Sequence, residues 1–211
     1  MAKLLTSEGH EVVPASRDTG VDVLTGEGLA DALAGADVLV DVTNSPSFAD
    51  DPVMEFFTTS TTNLVAAARA AGVGHYVVLS IVGLDKLPKS GYLRAKVAQE
   101  KLLTESGLPY SIVRATQFEE FADGIVASMT DGETVRVPDA LIQPIHADEV
   151  AAEVCRVAVG PPINRHDDIG GPDKISFAEL ARRTAPDKSV VIDPEATYFG
   201  TPLEQTSLVT D

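Results

Sequence analysis

Asn63-Leu-Val-Ala-Ala-Ala-Arg-Ala-Ala-Gly72 runs without interruption into Val73-Gly-His-Tyr-Val-Val-Leu-Ser80. The first half is Ala-rich and stops at a glycine, the residue that most readily takes a left-handed C-cap, which predicts a helix over Asn63–Ala71. The second half carries an apolar run over Tyr76–Ser80 with no polar alternation, as a strand does when both of its faces are covered. A helix leading straight into such a strand is the repeating unit of a parallel sheet with helices on both sides.

The same grammar extends in both directions. Upstream, Glu11–Ala15, Val21–Leu24 and Val38–Val42 read as strands; downstream, Tyr92–Glu105 reads as a helix stopped by Gly107 and Pro109, and Ser111–Arg114 as another strand. The class is α/β, with a doubly wound parallel sheet. Shorter apolar runs follow at Thr134–Val137, Leu141–Ile145 and Val190–Ile192. Ser176 and Glu179 have the spacing of a capping box, so a helix starts at Phe177, and Asp148 reads as the cap of a helix over Glu149–Val159. Gly160-Pro161-Pro162 reads as a hinge. The chain thus divides into residues 1–115, which carry the sheet, and residues 116–211, a substrate-binding portion that is not an independent domain.

The 211 residues include 16 basic and 32 acidic side chains, a formal charge of -16. That field repels nucleic-acid phosphates and anionic lipid headgroups, so neither nucleic acid nor membrane is an expected partner. No apolar run is long enough for a membrane helix, and a cytoplasmic protein is expected. The single cysteine, Cys155, reads as a small buried hydrophobe, and no His or Cys spacing suggests a metal.

Chemistry concentrates on Tyr92-Leu-Arg-Ala-Lys96, whose phenol and ammonium lie one helical turn apart and share a face. Ser80 stands twelve residues earlier, at the carboxyl end of a strand, where open parallel sheets bind ligands. A cation near a phenol lowers its pKa from about 10, and Lys96 is placed to do so. The plain alternative is that Tyr92 packs on a neighbouring loop and Lys96 is solvated.

These segments, with Gly35–Val42, Thr62–Ala68, Pro109–Arg114 and Pro144-Ile-His-Ala-Asp148, resemble the short-chain dehydrogenase/reductase superfamily in its atypical NmrA-like NAD(P)-binding branch. The resemblance implies a Rossmann-like fold and an oxidoreductase of small carbonyl, quinone or sugar-like substrates. In it Tyr92 exchanges the proton, Lys96 holds the nicotinamide ribose and Ser80 bonds the reacting oxygen. It also implies a strand and a Gly-rich phosphate loop that this chain does not carry. Met1–Gly9 resembles the end of the helix after that loop, so the expectation is a sheet lacking its first βα unit, with weak dinucleotide binding.

Further roles follow from the resemblance. Arg17, after the second strand, points to NADP over NAD, which stays open, and its rival partner is Asp18. Asp22 and Val23 sit where the family contacts adenine, and Thr43 and Asn44 where a strand passes the cofactor. Thr116, Gln117, Phe118 and Phe121 leave a strand end and line a substrate pocket, with Glu119 where an aromatic residue is expected. His146 reads as a structural helix-entry histidine. The partners expected are a small-molecule substrate and a second copy in a homodimer. The other functional reading is a non-catalytic NADP-sensing regulator of the NmrA type that binds a protein partner.

Overall fold

The structure, a computed structural model, describes residues 1–211. In chain order the helices are α1 (Ala2–Ser7), α2 (Leu29–Ala32), α3 (Asp50–Ala71), α4 (Gly91–Thr104), α5 (Ala122–Ser128), α6 (Ala147–Val159) and α7 (Phe177–Thr184). The strands are β1 (Val38–Asp41), β2 (His75–Ile81), β3 (Tyr110–Ala115), β4 (Thr130–Asp131), β5 (Thr134–Val137), β6 (Leu141–Ile142), β7 (His166–Ile169), β8 (Ile175–Ser176) and β9 (Ser189–Ile192).

The main sheet has the order β1-β2-β3-β7, and every pairing in it is parallel. Alternation along β2 sends Tyr76 and Val78 to one face, where they meet Leu64, Ala68 and Leu103 of α3 and α4. Val77 goes to the other face, where Val150, Val154 and Val157 of α6 cover it. Both faces are therefore apolar and helix-covered, which makes the fold Rossmann-like. No helix is long and apolar enough to cross a membrane.

Two expected strands are corrected. Val21–Leu24 is a turn: Asp22 Oδ1 accepts the amide hydrogen of Leu24 at 2.7 Å, a local side-chain bond that competes with any ladder. Glu11–Ala15 forms no strand; Pro14 lacks a donor, and the segment stays largely exposed beside no sheet edge. The helix expected from Asn63 begins thirteen residues earlier, at Asp50. Its Thr-rich middle reads as a poor helix former, yet Val53, Phe57, Ser60, Thr61 and Leu64 are buried along it, and that packing outweighs propensity. It ends as expected, with Gly72 at φ 75°.

The strand β7 was not anticipated, because an edge strand reading His-Asp-Asp-Ile carries no apolar pattern. It pairs with β3 from Ile112↔His166 to Ala115↔Ile169. Gly160–Pro162 is accordingly a connection from α6 into the same sheet rather than a hinge, and α6 and β7 tie part of the chain beyond residue 115 to the main sheet. The cap of α6 is His146, with Asp148 inside its first turn. Of the expected Leu141–Ile145 strand, Leu141–Ile142 pairs with β8, and Ile145 forms a single parallel bridge to Phe118.

The remaining elements build a second core around Val135, Ile142, Phe177 and Leu208. The final residues lie against the loop after β2: a Cβ on Gly83, which sits at φ 76°, would stand 1.8 Å from the Ser207 carbonyl oxygen. That close approach requires glycine.

Candidate active site

The carboxyl ends of β1, β2 and β3 and the first turn of α4 converge on one edge of the sheet. Ser80, near the end of β2, is buried, and its Oγ has no hydrogen-bond partner. Thr116 and Gln117 follow β3 directly, and Thr116 Oγ1 and Gln117 Oε1 are likewise buried and unpartnered. Such atoms are uncommon in proteins, since each forfeits its hydration without replacement. Here three lie at one strand edge.

Tyr92 enters on α4, which Ser90 caps by accepting the Leu93 amide hydrogen at 3.3 Å. The phenol ring lies 5.4 Å from the Phe48 ring and 5.9 Å from that of Phe57. Its hydroxyl donates to Asn44 Oδ1 at 3.0 Å. Burial pushes its pKa up to about 12, which the Asn44 bond only partly offsets. The expected lowering by Lys96 is therefore corrected.

The reason is where the ammonium goes. Lys96 is 3% exposed, and Nζ donates to the Leu79 carbonyl at 2.9 Å and to Gln99 Oε1 while lying 4.7 Å from the centre of the Phe57 ring. Burial lowers its pKa to about 8 against the upward pull of Asp41 and Glu100. Tyr92 packs as the plain alternative foresaw, but Lys96 is buried rather than solvated.

Asp41, which the sequence reading passed over, organises this pocket. It accepts from Tyr76 OH at 2.9 Å, Gln99 Nε2 at 3.1 Å, and the Thr43 amide and hydroxyl at 2.9 and 2.7 Å. Thr43 thus turns back toward the protein, whereas Asn44 faces Tyr92. A second unassigned group is Arg114, which grips Glu100 of α4 with two hydrogen bonds at 2.9 and 2.6 Å and Asp85 with one at 2.9 Å. An apolar strand ending in arginine, with a glutamate four residues after Lys96, was the only signal for it.

The residues expected on the adenine side stand together. Arg17 pairs with Asp22 at 3.2 Å, not with Asp18. The Leu24 amide, foremost, and Arg17 hold the Asp22 carboxyl below its ordinary range. Asn63 Nδ2 donates to the Val23 and Leu24 carbonyls, each at 2.9 Å, and so ties this turn to α3. Phe118 and Phe121 stack with centres 5.5 Å apart, Phe121 being 60% exposed. Beside them, His146 Nε2 lies 2.9 Å from Glu119, and Glu120 accepts the Ala147 amide hydrogen at the start of α6.

Residues 3–158 match the sequence pattern of a protein family described as NAD(P)H-binding. The chain belongs to this NAD(P)H-binding family. Among curated relatives, it is 28% identical over 172 residues to a (4-alkanoyl-5-oxo-2,5-dihydrofuran-3-yl)methyl phosphate reductase of Streptomyces griseus, covering 77% of this chain and 57% of that protein. The chain spans about half the length or less of the curated relatives it matches. Among solved structures, the Citrobacter triphenylmethane reductase complexed with NADP(H) superposes with a TM-score of 0.64 at 21% identity, covering 92% of this chain and 66% of that one. The NADPH-dependent quinone oxidoreductase of Escherichia coli, complexed with NADPH, gives 0.61 at 22% identity, covering 91% and 65%. These likenesses show the shared fold.

The residues present fit the nicotinamide end of the family's cofactor on one observation: the Ser80 and Thr116 hydroxyls, without a partner in the protein, are buried at the carboxyl ends of neighbouring parallel strands, where this fold binds dinucleotides.

Proposed function

We propose that this NAD(P)H-binding protein is an oxidoreductase of the short-chain dehydrogenase/reductase type, working as a reductase of a small carbonyl, quinone or sugar-like substrate. The observation that carries the reading is the pair of buried, unsatisfied hydroxyls of Ser80 and Thr116 at the strand edge that Tyr92 approaches from α4. A reduced nicotinamide, when bound, supplies the hydride. The chain's own residues receive the substrate oxygen and supply the matching proton.

Ser80 Oγ donates to that oxygen and orients it. The Tyr92 hydroxyl, held by Asn44 in the free protein, turns its hydrogen to the same oxygen and transfers it as negative charge develops there, so the substrate gains one hydride and one proton. Like any phenol it is protonated at neutral pH and so has a hydrogen to give, although its burial in the free protein makes it a weaker acid than an exposed tyrosine. Lys96, anchored on Leu79 and Gln99, fixes the end of β2 beside Ser80 and keeps a third N–H for the ribose. Asn44, Thr43, Asp22 and Val23 are the remaining cofactor contacts. Arg17 favours NADP over NAD once its guanidinium exchanges Asp22 for a phosphate. Thr116, Gln117, Phe118 and Phe121 line the substrate side.

The test is NADPH oxidation against a panel of quinones and aldehydes, with cofactor titration alongside. Tyr92→Phe is expected to lower the rate ~100-fold while leaving NADPH affinity nearly unchanged, and Arg17→Ala to narrow the difference between NADPH and NADH affinities. Full activity in Tyr92→Phe would falsify the acid role. The occupied Lys96 and Asn44 partners favour a second reading, a cofactor-binding regulator that senses NADP without turnover. Inactivity across the whole panel with intact NADPH binding selects it.

A further inference from the structure

The Ser80 and Tyr92 hydroxyls are carried by units that pack in different places. Ser80 belongs to β2, whose Val77 and Val78 lie in the two cores that flank the main sheet. Tyr92 opens α4, and the segment that delivers it from β2 is sunk elsewhere: Leu84, Leu87 and Leu93 are buried in the second core with Val135, Ile142 and Phe177. Farther along, Leu103 of α4 joins the core shared with β2. Apolar contact has no preferred direction, so it holds two such units together without fixing the separation of particular oxygens. Directional bonds do.

Arg114 supplies them. It is the register partner of Ser80 on the neighbouring strand β3, so the two side chains leave the sheet on one face, the face that α4 covers. Its guanidinium is spread over two elements. Nε and Nη2 donate to the two oxygens of Glu100 at 2.9 and 2.6 Å, and Nη1 donates to Asp85 at 2.9 Å. The Arg114 and Glu100 side chains are buried, whereas that of Asp85 is 59% exposed. Glu100 follows Lys96 by four residues and Tyr92 by eight, so all three lie along one stripe of α4. Asp85 stands in the segment between Ser80 and Tyr92.

That stripe is anchored once per turn. Tyr92 reaches Asn44, Lys96 reaches the Leu79 carbonyl, and Glu100 reaches Arg114. A guanidinium that grips a carboxylate through two parallel N–H bonds fixes both distance and plane, which a single ammonium contact does not. Its contribution to stability is a separate matter, because desolvating the two charges offsets much of their attraction and an apolar pair of like volume often serves a core as well. What such a fork adds beyond packing is a fixed geometry.

We propose that Arg114 is a positioning residue for the Ser80–Tyr92 edge: by clasping Glu100 and Asp85 against β3, it sets where α4 stands on the sheet and thereby where the Tyr92 hydroxyl stands relative to Ser80. It touches no reacting atom and passes no proton. The inference rests on the reading of this edge as a reductase site, and it assigns the alignment of the two hydroxyls to a residue outside that site.

Two variants separate position from stability. Arg114→Lys keeps every charge but loses the fork, and Asp85→Asn frees the exposed arm while leaving the buried Glu100 pair intact. With NADPH oxidation measured per NADPH-binding chain, Arg114→Lys is expected to lower kcat about tenfold and Asp85→Asn about threefold. The Kd for NADPH should stay within about twofold of wild type, because misalignment is felt in the transition state more than in binding. A merely structural pair would reduce the number of NADPH-binding chains and leave kcat per chain unchanged. That result, or an unchanged kcat in both variants, overturns the proposal. In a wild type that turns over nothing, the reductase reading falls by itself, and amide exchange at Lys86, Leu87 and Ser90, which bond to carbonyls of their own segment, decides on Arg114. Exchange about threefold faster or more in both variants leaves the clasp standing, and unchanged exchange removes it as well.

Discussion

Two groups of buried polar side chains share one end of the main sheet and are treated in opposite ways. Around Asp41, every hydrogen-bonding demand is met: Tyr76, Gln99 and Thr43 donate to the carboxylate, and Gln99 passes the connection on to Lys96. Around Ser80, Thr116 and Gln117, the protein itself offers no partner to Ser80 Oγ, Thr116 Oγ1 or Gln117 Oε1. The first group is complete without a ligand and belongs to the fold. The second costs stability as it stands, and an incoming ligand would repay it.

The largest expected effect breaks the satisfied group. Asp41→Ala strands the Tyr76 hydroxyl and the Gln99 amide in a buried site and leaves Lys96 without its nearest countercharges save Glu100. Removing one member of such a network costs about 3 to 5 kcal/mol. Urea denaturation should show that loss, with Asp41→Asn losing less because it keeps the volume and one acceptor. A loss below about 1 kcal/mol in Asp41→Ala contradicts the description of Asp41 as the organiser.

Next in size is the pH dependence that Lys96 imposes. Its pKa is about 8 in the folded chain against 10.5 when free. Below 8 both states hold the proton. Between 8 and 10.5 the unfolded chain still holds it while the folded chain has released it, so unfolding takes up a proton and stability rises with pH. Tyr92 opposes this above about 10, because its folded pKa of about 12 means that the unfolded phenol ionises first. Wild type should therefore gain stability from pH 8 to 10 relative to Lys96→Met, measured by denaturant midpoints. Parallel profiles would place the ammonium in solvent.

The smallest effect sharpens the comparison from the other side. Ser80→Ala and Thr116→Val remove hydroxyls that bond to nothing, so each should change stability by no more than about 0.5 kcal/mol, or raise it. In the proposed reductase the same substitutions should lower the rate of NADPH oxidation. A stability loss above about 2 kcal/mol in either variant means that its hydroxyl has a partner within the protein.

That contrast also marks how far the sequence could be read. The places of Ser80 near the end of β2 and of Tyr92 in the first turn of α4 were legible because strand end and helix turn are local patterns. Asp41 was invisible, since a carboxylate at the end of an apolar strand reads as a surface charge until Tyr76 and Gln99 close over it. Lys96 was legible as a sharer of Tyr92's face. The direction of its ammonium depended on Leu79, Gln99 and Phe57, which come from three different elements.

By itself the sequence determined the parallel α/β class, the cores of β1, β2 and β3, the end of α3 at Gly72 and the capped start of α7 at Ser176. Each of these rests on a period of two or 3.6 residues or on a cap, within reach of a few neighbours along the chain. Only the tertiary structure decided that Val21–Leu24 is a turn, that α3 extends back to Asp50 and that His166–Ile169 joins the sheet. A strand exists only where another strand offers a free edge, and a weak helix only where a neighbour covers its face. The same holds for the site: composition supplied the hydroxyls, and packing chose which of them would go without a partner.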